Sequence, residues 1–170
     1  MQDAVYSLCS KKFETLSFNG QDENEQTVDL MEFSNHAFTL KKLSLLDFNE
    51  SNSLRIIHCL ENLESLTLGN CRDQMVSDIL MNVSSNLKYL KITDYDFNEL
   101  GVLEKELKVR ELEVFYCRGT DGFKQVFLKS ENQAHCTLYG GYFRTGAIGA
   151  CHPKNFEIYI GTRKVSIFTT

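Results

Sequence analysis

A short pattern, apolar at its first, fourth and sixth positions and mostly polar between them, recurs along the chain. It is carried by Phe13, Leu16 and Phe18, then by Leu40, Leu43 and Leu45, by Leu63, Leu66 and Leu68, by Leu87, Leu90 and Ile92, and by Val109, Leu112 and Val114. The copies start at positions 13, 40, 63, 87 and 109, in steps of 27, 23, 24 and 22 residues. Weaker copies follow at Cys136 and Leu138 and at Phe156 and Ile158. Within each copy apolar and polar residues alternate, which predicts a strand with one face buried. Between the copies lie short amphipathic stretches, 27–38, 53–60, 74–83, 97–107 and 122–128. In the third of these, Met75, Val76, Ile79, Leu80 and Val83 fall on one side at helical spacing.

A strand, a turn, a short helix and another strand in units of this length leave too little chain for a wide crossover. The strands are therefore expected to pair in parallel, as one curved sheet with the helices on its convex side. The Leu, Ile and Met stripes read as core, because no single unit can bury its own apolar face and each neighbour supplies the cover. The expected fold class is α/β: one domain over 1–170, with units starting near 13, 40, 63, 87, 109, 133 and 153. Residues 4–13 resemble the helix-then-strand run 78–87, so the chain is expected to begin inside a unit and to lack an N-terminal part. At the other end, residues 156–160, a tight turn over 161–164 and residues 165–168 read as a β-hairpin. Its edge strand, with Arg163 and Lys164, is expected to cap the sheet, since short charged edges resist further pairing.

A formal net charge of -5 argues against nucleic acid or an anionic membrane as the main partner, because phosphate recognition needs a dense Lys/Arg surface. No apolar run is long enough to span a bilayer and the first twelve residues lack the grammar of a leader, so a cytoplasmic location is expected, with the nucleus as the alternative. The six cysteines, Cys9, Cys59, Cys71, Cys117, Cys136 and Cys151, form no C-x-x-C pair and read as small buried apolar residues. The adjacent pairs His135 with Cys136 and Cys151 with His152 invite a zinc or Cys-His dyad reading. On a strand, however, His135 and Cys136 point to opposite faces, so no metal site, no cofactor and no catalytic residue are assigned. His58 and Cys59 read as structural, the acidic run 21–25 as a solvated loop, and the glycine-dense run 139–149 as an irregular turn that lacks the ending of a nucleotide loop.

The residues between the buried positions of each strand point away from the core and line up as columns. One column reads Thr15, Lys42, Ser65, Tyr89, Glu111, His135, Asn155; the next, Ser17, Ser44, Thr67, Lys91, Glu113, Thr137, Glu157; the last, Asn19, Leu46, Gly69, Thr93, Phe115, Tyr139, Tyr159. The early entries are small and hydroxylic, the later ones aromatic and charged. Tyr and Phe are common anchors of protein recognition. The expected partner-binding residues are thus Tyr89, Lys91, Glu111, Glu113, Phe115, His135, Tyr139, Glu157 and Tyr159, facing a partner with apolar and basic groups.

The recurring L-x-x-L-x-L motif is similar to that of the leucine-rich repeat family. Cys71 after Leu68 and Cys117 after Val114 resemble its cysteine-containing subclass, whereas Phe48 and Tyr95 put aromatics in the same place. The resemblance implies a leucine-rich repeat solenoid of six to seven repeats, not an enzyme, whose turn cysteines satisfy backbone groups. Repeats of this type are familiar from F-box proteins, where they select the substrate of a ubiquitin ligase while an F-box docks a Skp-type adaptor. No Leu-Pro-containing three-helix segment stands ahead of residue 13. The resemblance therefore implies a protein-protein interaction module, the substrate-recognition part of an F-box-like receptor. Its alternatives are a regulatory repeat protein that binds or inhibits another enzyme or GTPase, and a secreted or pathogen-derived binding domain.

Overall fold

A computed structural model describes residues 14–19, 39–47, 62–71, 73–83, 86–130, 135–140, 156–160 and 163–165. The alternating segments form strands β1 (Thr15–Asn19), β2 (Lys42–Leu46), β3 (Ser65–Gly69), β4 (Tyr89–Thr93), β5 (Glu111–Phe115), β6 (His135–Tyr139), β7 (Phe156–Ile160) and β8 (Arg163–Val165). They make one sheet in which sequence order is spatial order. β1 to β7 pair in parallel and β8 pairs antiparallel with β7. Among the described residues, two helices, α1 (Asp73–Asn82) and α2 (Thr120–Lys129), make the fold α/β.

The register runs without a slip. Leu43, Leu66, Leu90, Leu112 and Cys136 lie side by side, as do Leu45, Leu68, Ile92, Val114 and Leu138. All ten are buried in one core with Met75, Val76, Ile79 and Leu80 of α1 and Phe123 and Val126 of α2. A one-residue slip would carry each of these rows to the other face, so burial of a single face enforces the register.

Both ends of the strands repeat a backbone device. At the entry, the carbonyls of Glu14, Lys41, Glu64 and Lys88 each accept two successive N–H groups from the next strand. Beside them the side chains alternate in charge, with Lys41 3.3 Å from Glu14 and Lys88 3.0 Å from Glu64. At the exit, Asp47, Asn70, Asp94 and Tyr116 adopt φ of 53°, 47°, 54° and 54°, and Gly140 follows at 66°. The N–H of each of the four non-glycines donates to the last carbonyl of the next strand, at 2.8 to 3.0 Å. Asp, Asn and Gly tolerate this left-handed region; a tyrosine does not do so readily.

α1 coincides with the predicted stretch 74–83, and α2 spans 122–128. The stretch 97–107 differs: only Phe97–Glu99 is helical, as a 3-10 turn, and residues 100–110 hold no regular helix. The link from Thr93 to Glu111 is seventeen residues, against nineteen from Gly69 to Tyr89 and nineteen from Phe115 to His135. An α-helix advances about 1.5 Å per residue and extended chain about 3.3 Å, so this link, shorter than those that hold α1 and α2, reaches the next strand in the more extended form. Its Leu100, Leu103 and Leu107 still enter the core. Helices on either side hold it: Ser77 Oγ accepts from Gly101 N–H at 3.2 Å, Gln125 Oε1 from Leu103 N–H at 3.1 Å, and Lys105 Nζ donates to the Val83 carbonyl at the end of α1.

Glycine is required where α2 meets this turn. A Cβ on Gly122 would run into the Phe97 carbonyl, and Gly119, at φ 93°, lies against the backbone of Phe97 and Asn98. Around them Tyr95 and Phe97 meet edge to face at 5.1 Å, as do Phe97 and Phe123 at 5.9 Å. The C-terminal hairpin forms with an earlier second strand than expected, since Arg163 and Lys164 pair with Ile160 and Tyr159. The expected stretches 27–38 and 53–60, residues 4–13, the acidic run 21–25, His58 and Cys59, Phe48, and Cys151 with His152 lie outside the described residues. Among the described residues, no helix is long and apolar enough to cross a membrane.

Candidate functional site

With α1 and α2 packed against one face of the sheet, the other face carries the three columns in the order expected. Across β4, β5 and β6 the first column is Tyr89, Glu111, His135; the second is Lys91, Glu113, Thr137; the third is Thr93, Phe115, Tyr139. β7 adds Glu157 beside Thr137 and Tyr159 beside Tyr139 in register. The side chains of Glu157 and Tyr159, and the whole of Asn155, lie outside the described residues.

Five of the expected residues form one connected cluster. The Tyr89 hydroxyl donates to Glu113 Oε2 at 2.8 Å, and the same carboxylate oxygen lies 3.6 Å from Lys91 Nζ. That ammonium also stands over the Phe115 ring, 4.4 Å from its centroid. Phe115 and Tyr139 are neighbouring rings, 5.4 Å apart at an interplanar angle of 32°. Glu113 is therefore already engaged by Tyr89 and Lys91. Glu111 and His135, at the outer end of the strands, are exposed.

Burial is the main reason that the Tyr89 phenol is pushed above the ordinary tyrosine range; donation to Glu113 and the negative charges of Glu113 and Glu111 add to it. The phenol stays protonated, and as a donor it fixes one oxygen of Glu113.

Tyr116 was not singled out from the sequence. It follows β5, keeps the left-handed backbone of the strand exits, is 59% exposed, and meets Tyr139 edge to face at 5.7 Å. Gly140, the corresponding residue after β6, leaves room for it: a Cβ there would approach the Tyr116 ring to 2.8 Å. Such strain, of order 1–3 kcal/mol, gathers at functional positions. The signal was present in the column Asp47, Asn70, Asp94, Tyr116, Gly140, where one aromatic interrupts residues suited to the left-handed region.

Among the described residues, no cysteine is poised for reaction. Cys71, Cys117 and Cys136 are buried thiols. The Cys71 thiol donates to the carbonyls of Leu45 and Gly69, and the Cys117 thiol to those of Ile92 and Phe115. Cys117 also accepts the Tyr95 N–H, and burial pushes its pKa up to about 12. Burial likewise raises that of Cys136, which lies within the sheet core while His135 is exposed on the opposite face. Among the described residues, no three His, Cys, Asp or Glu side chains gather as a metal site.

Comparison with protein-family models, curated proteins and solved structures returns no match for this chain.

Proposed function

We propose that the chain is a leucine-rich repeat solenoid of the cysteine-containing subclass, with a curved sheet capped by its C-terminal hairpin, and that it works as a protein-protein interaction module. The in-register parallel strands, the left-handed residue after each of five strands, and turn cysteines bonded to carbonyls of the preceding strand all support the repeat reading. The observation that carries the interaction reading is the cluster on the face of β4 to β6 opposite the helices. There Phe115, Tyr139 and the strained Tyr116 stand partly or largely exposed beside Lys91, Glu111 and Glu113. Rigid aromatics offer contact area at low entropic cost, and backbone strain of the kind Tyr116 carries gathers at functional positions.

The narrower assignment, substrate recognition in an F-box-like ubiquitin-ligase receptor, rests on the motif resemblance, and co-purification with a Skp-type adaptor tests it. The buried thiols of Cys71, Cys117 and Cys136 go with a reducing, cytoplasmic compartment. The interaction reading is tested by comparing two double variants in co-purification from cells that make the protein. Phe115→Ser with Tyr139→Ser is expected to lose the proteins retained by the wild type, while Ser44→Ala with Thr67→Ala keeps them. Equal retention by both variants, each folded by circular dichroism, would overturn the reading.

A further inference from the structure

We infer that the β4 to β6 face is built to take an arginine side chain of a protein partner, and that Lys91 is an internal competitor that occupies this position until the partner displaces it. The inference rests on the reading of this face as a binding surface and names what the surface selects.

Three observations converge. The position is already shown to accept a cation: the Lys91 ammonium lies 4.4 Å over the Phe115 ring and 3.6 Å from Glu113 Oε2. Its walls are held by groups other than Lys91, since Tyr89 donates to Glu113 at 2.8 Å and Phe115 leans on Tyr139 at 5.4 Å. The charge balance favours a second cation, because Lys91 is opposed by Glu113 while Glu111 remains as an exposed carboxylate and the aromatic faces are themselves negative.

The occupant is the mobile part. Lys91 is a point charge on a flexible stem, with its side chain 32% exposed, and it can swing out without disturbing the sheet. An arginine suits the vacated position better. Its planar guanidinium stacks on an aromatic ring and presents paired donors to a carboxylate, whereas an ammonium does neither. Glu113 offers that carboxylate already oriented by Tyr89, so little order has to be imposed on binding.

A fluorescent tetra-arginine peptide, read by anisotropy at physiological ionic strength, tests the displacement. Lys91→Met is expected to tighten its binding by about threefold to tenfold, the weight of one exposed cation-π contact and a surface ion pair. Lys42→Met, which removes the same charge from the β2 end of the face, is expected to change it less than about twofold at this ionic strength. Glu113→Gln and Phe115→Leu are expected to weaken binding, with unfolding midpoints showing both folded, and tetra-glutamate is expected not to bind. Equal effects of Lys91→Met and Lys42→Met would reduce the result to net charge and overturn the displacement, leaving the face as a binding surface. Failure of tetra-arginine to bind wild type and Lys91→Met alike would overturn the arginine preference, and the co-purification comparison would still decide whether the face binds protein at all.

Discussion

β1 to β3 and β4 to β6 share a strand length and a register, yet their faces away from the helices differ in kind. The first group carries Ser17, Ser44, Ser65 and Thr67, with Gly69 closed over by Leu46 and Thr93. The second carries Tyr89, Lys91, Glu113, Phe115 and Tyr139, tied to one another by a hydrogen bond, an ion pair and ring contacts. One backbone thus supports a bland face and a chemically specific one, which means that the scaffold and the surface vary independently. In a sheet this follows from the period of two: side chains that build the core and side chains that meet solvent are neighbours in sequence but never share a face.

The largest effect should come from the parity that both groups share. Leu66→Ala in β3 and Leu112→Ala in β5, each 1% exposed, are expected to cost about 2–5 kcal/mol in denaturant unfolding. A large cost at one position and a negligible one at the other would break the claim that a common core underlies the two faces.

A smaller effect sharpens the difference between them. Tyr116→Asn relieves a left-handed backbone costing about 1–2 kcal/mol and forfeits a ring contact worth about 0.5–1.5 kcal/mol. Stability is therefore expected to stay within about 1 kcal/mol of wild type while partner retention falls. If Tyr116→Asn instead unfolded the protein, the tyrosine would be part of the scaffold and not of the surface.

The smallest effect is confined to alkaline pH. The folded state raises the Tyr89 pKa, so the contribution of its phenol is complete below the unfolded value of about 10 and is lost as pH rises beyond it toward the folded value. Tyr89→Phe is expected to flatten the decline of the thermal midpoint on that limb and to leave it unchanged in shape near neutrality. An identical alkaline limb in the variant would show that the Tyr89–Glu113 pair does not distinguish this half of the sheet.

The strands, their register and the membership of each column were legible because L-x-x-L-x-L encodes them locally: alternation fixes the face, and the repeat fixes the neighbour. The stretch 97–107 was not, because its apolar spacing suits a helix while the length of the link, seventeen residues in place of nineteen, decides against one. Tyr116 escaped notice for a related reason, since a left-handed φ is a property of the turn and Tyr is an unusual residue to carry it.

From the sequence alone came the α/β pattern, the buried rows and the contrast between hydroxylic and aromatic columns, all consequences of spacing along one chain. Only the tertiary structure decided that Lys91 lies over Phe115 with its charge on Glu113, that Tyr89 orients that carboxylate, and that Gly140 leaves space for the Tyr116 ring. These contacts join residues about 24 positions apart, and at that separation it is the folded geometry that brings charges and rings together.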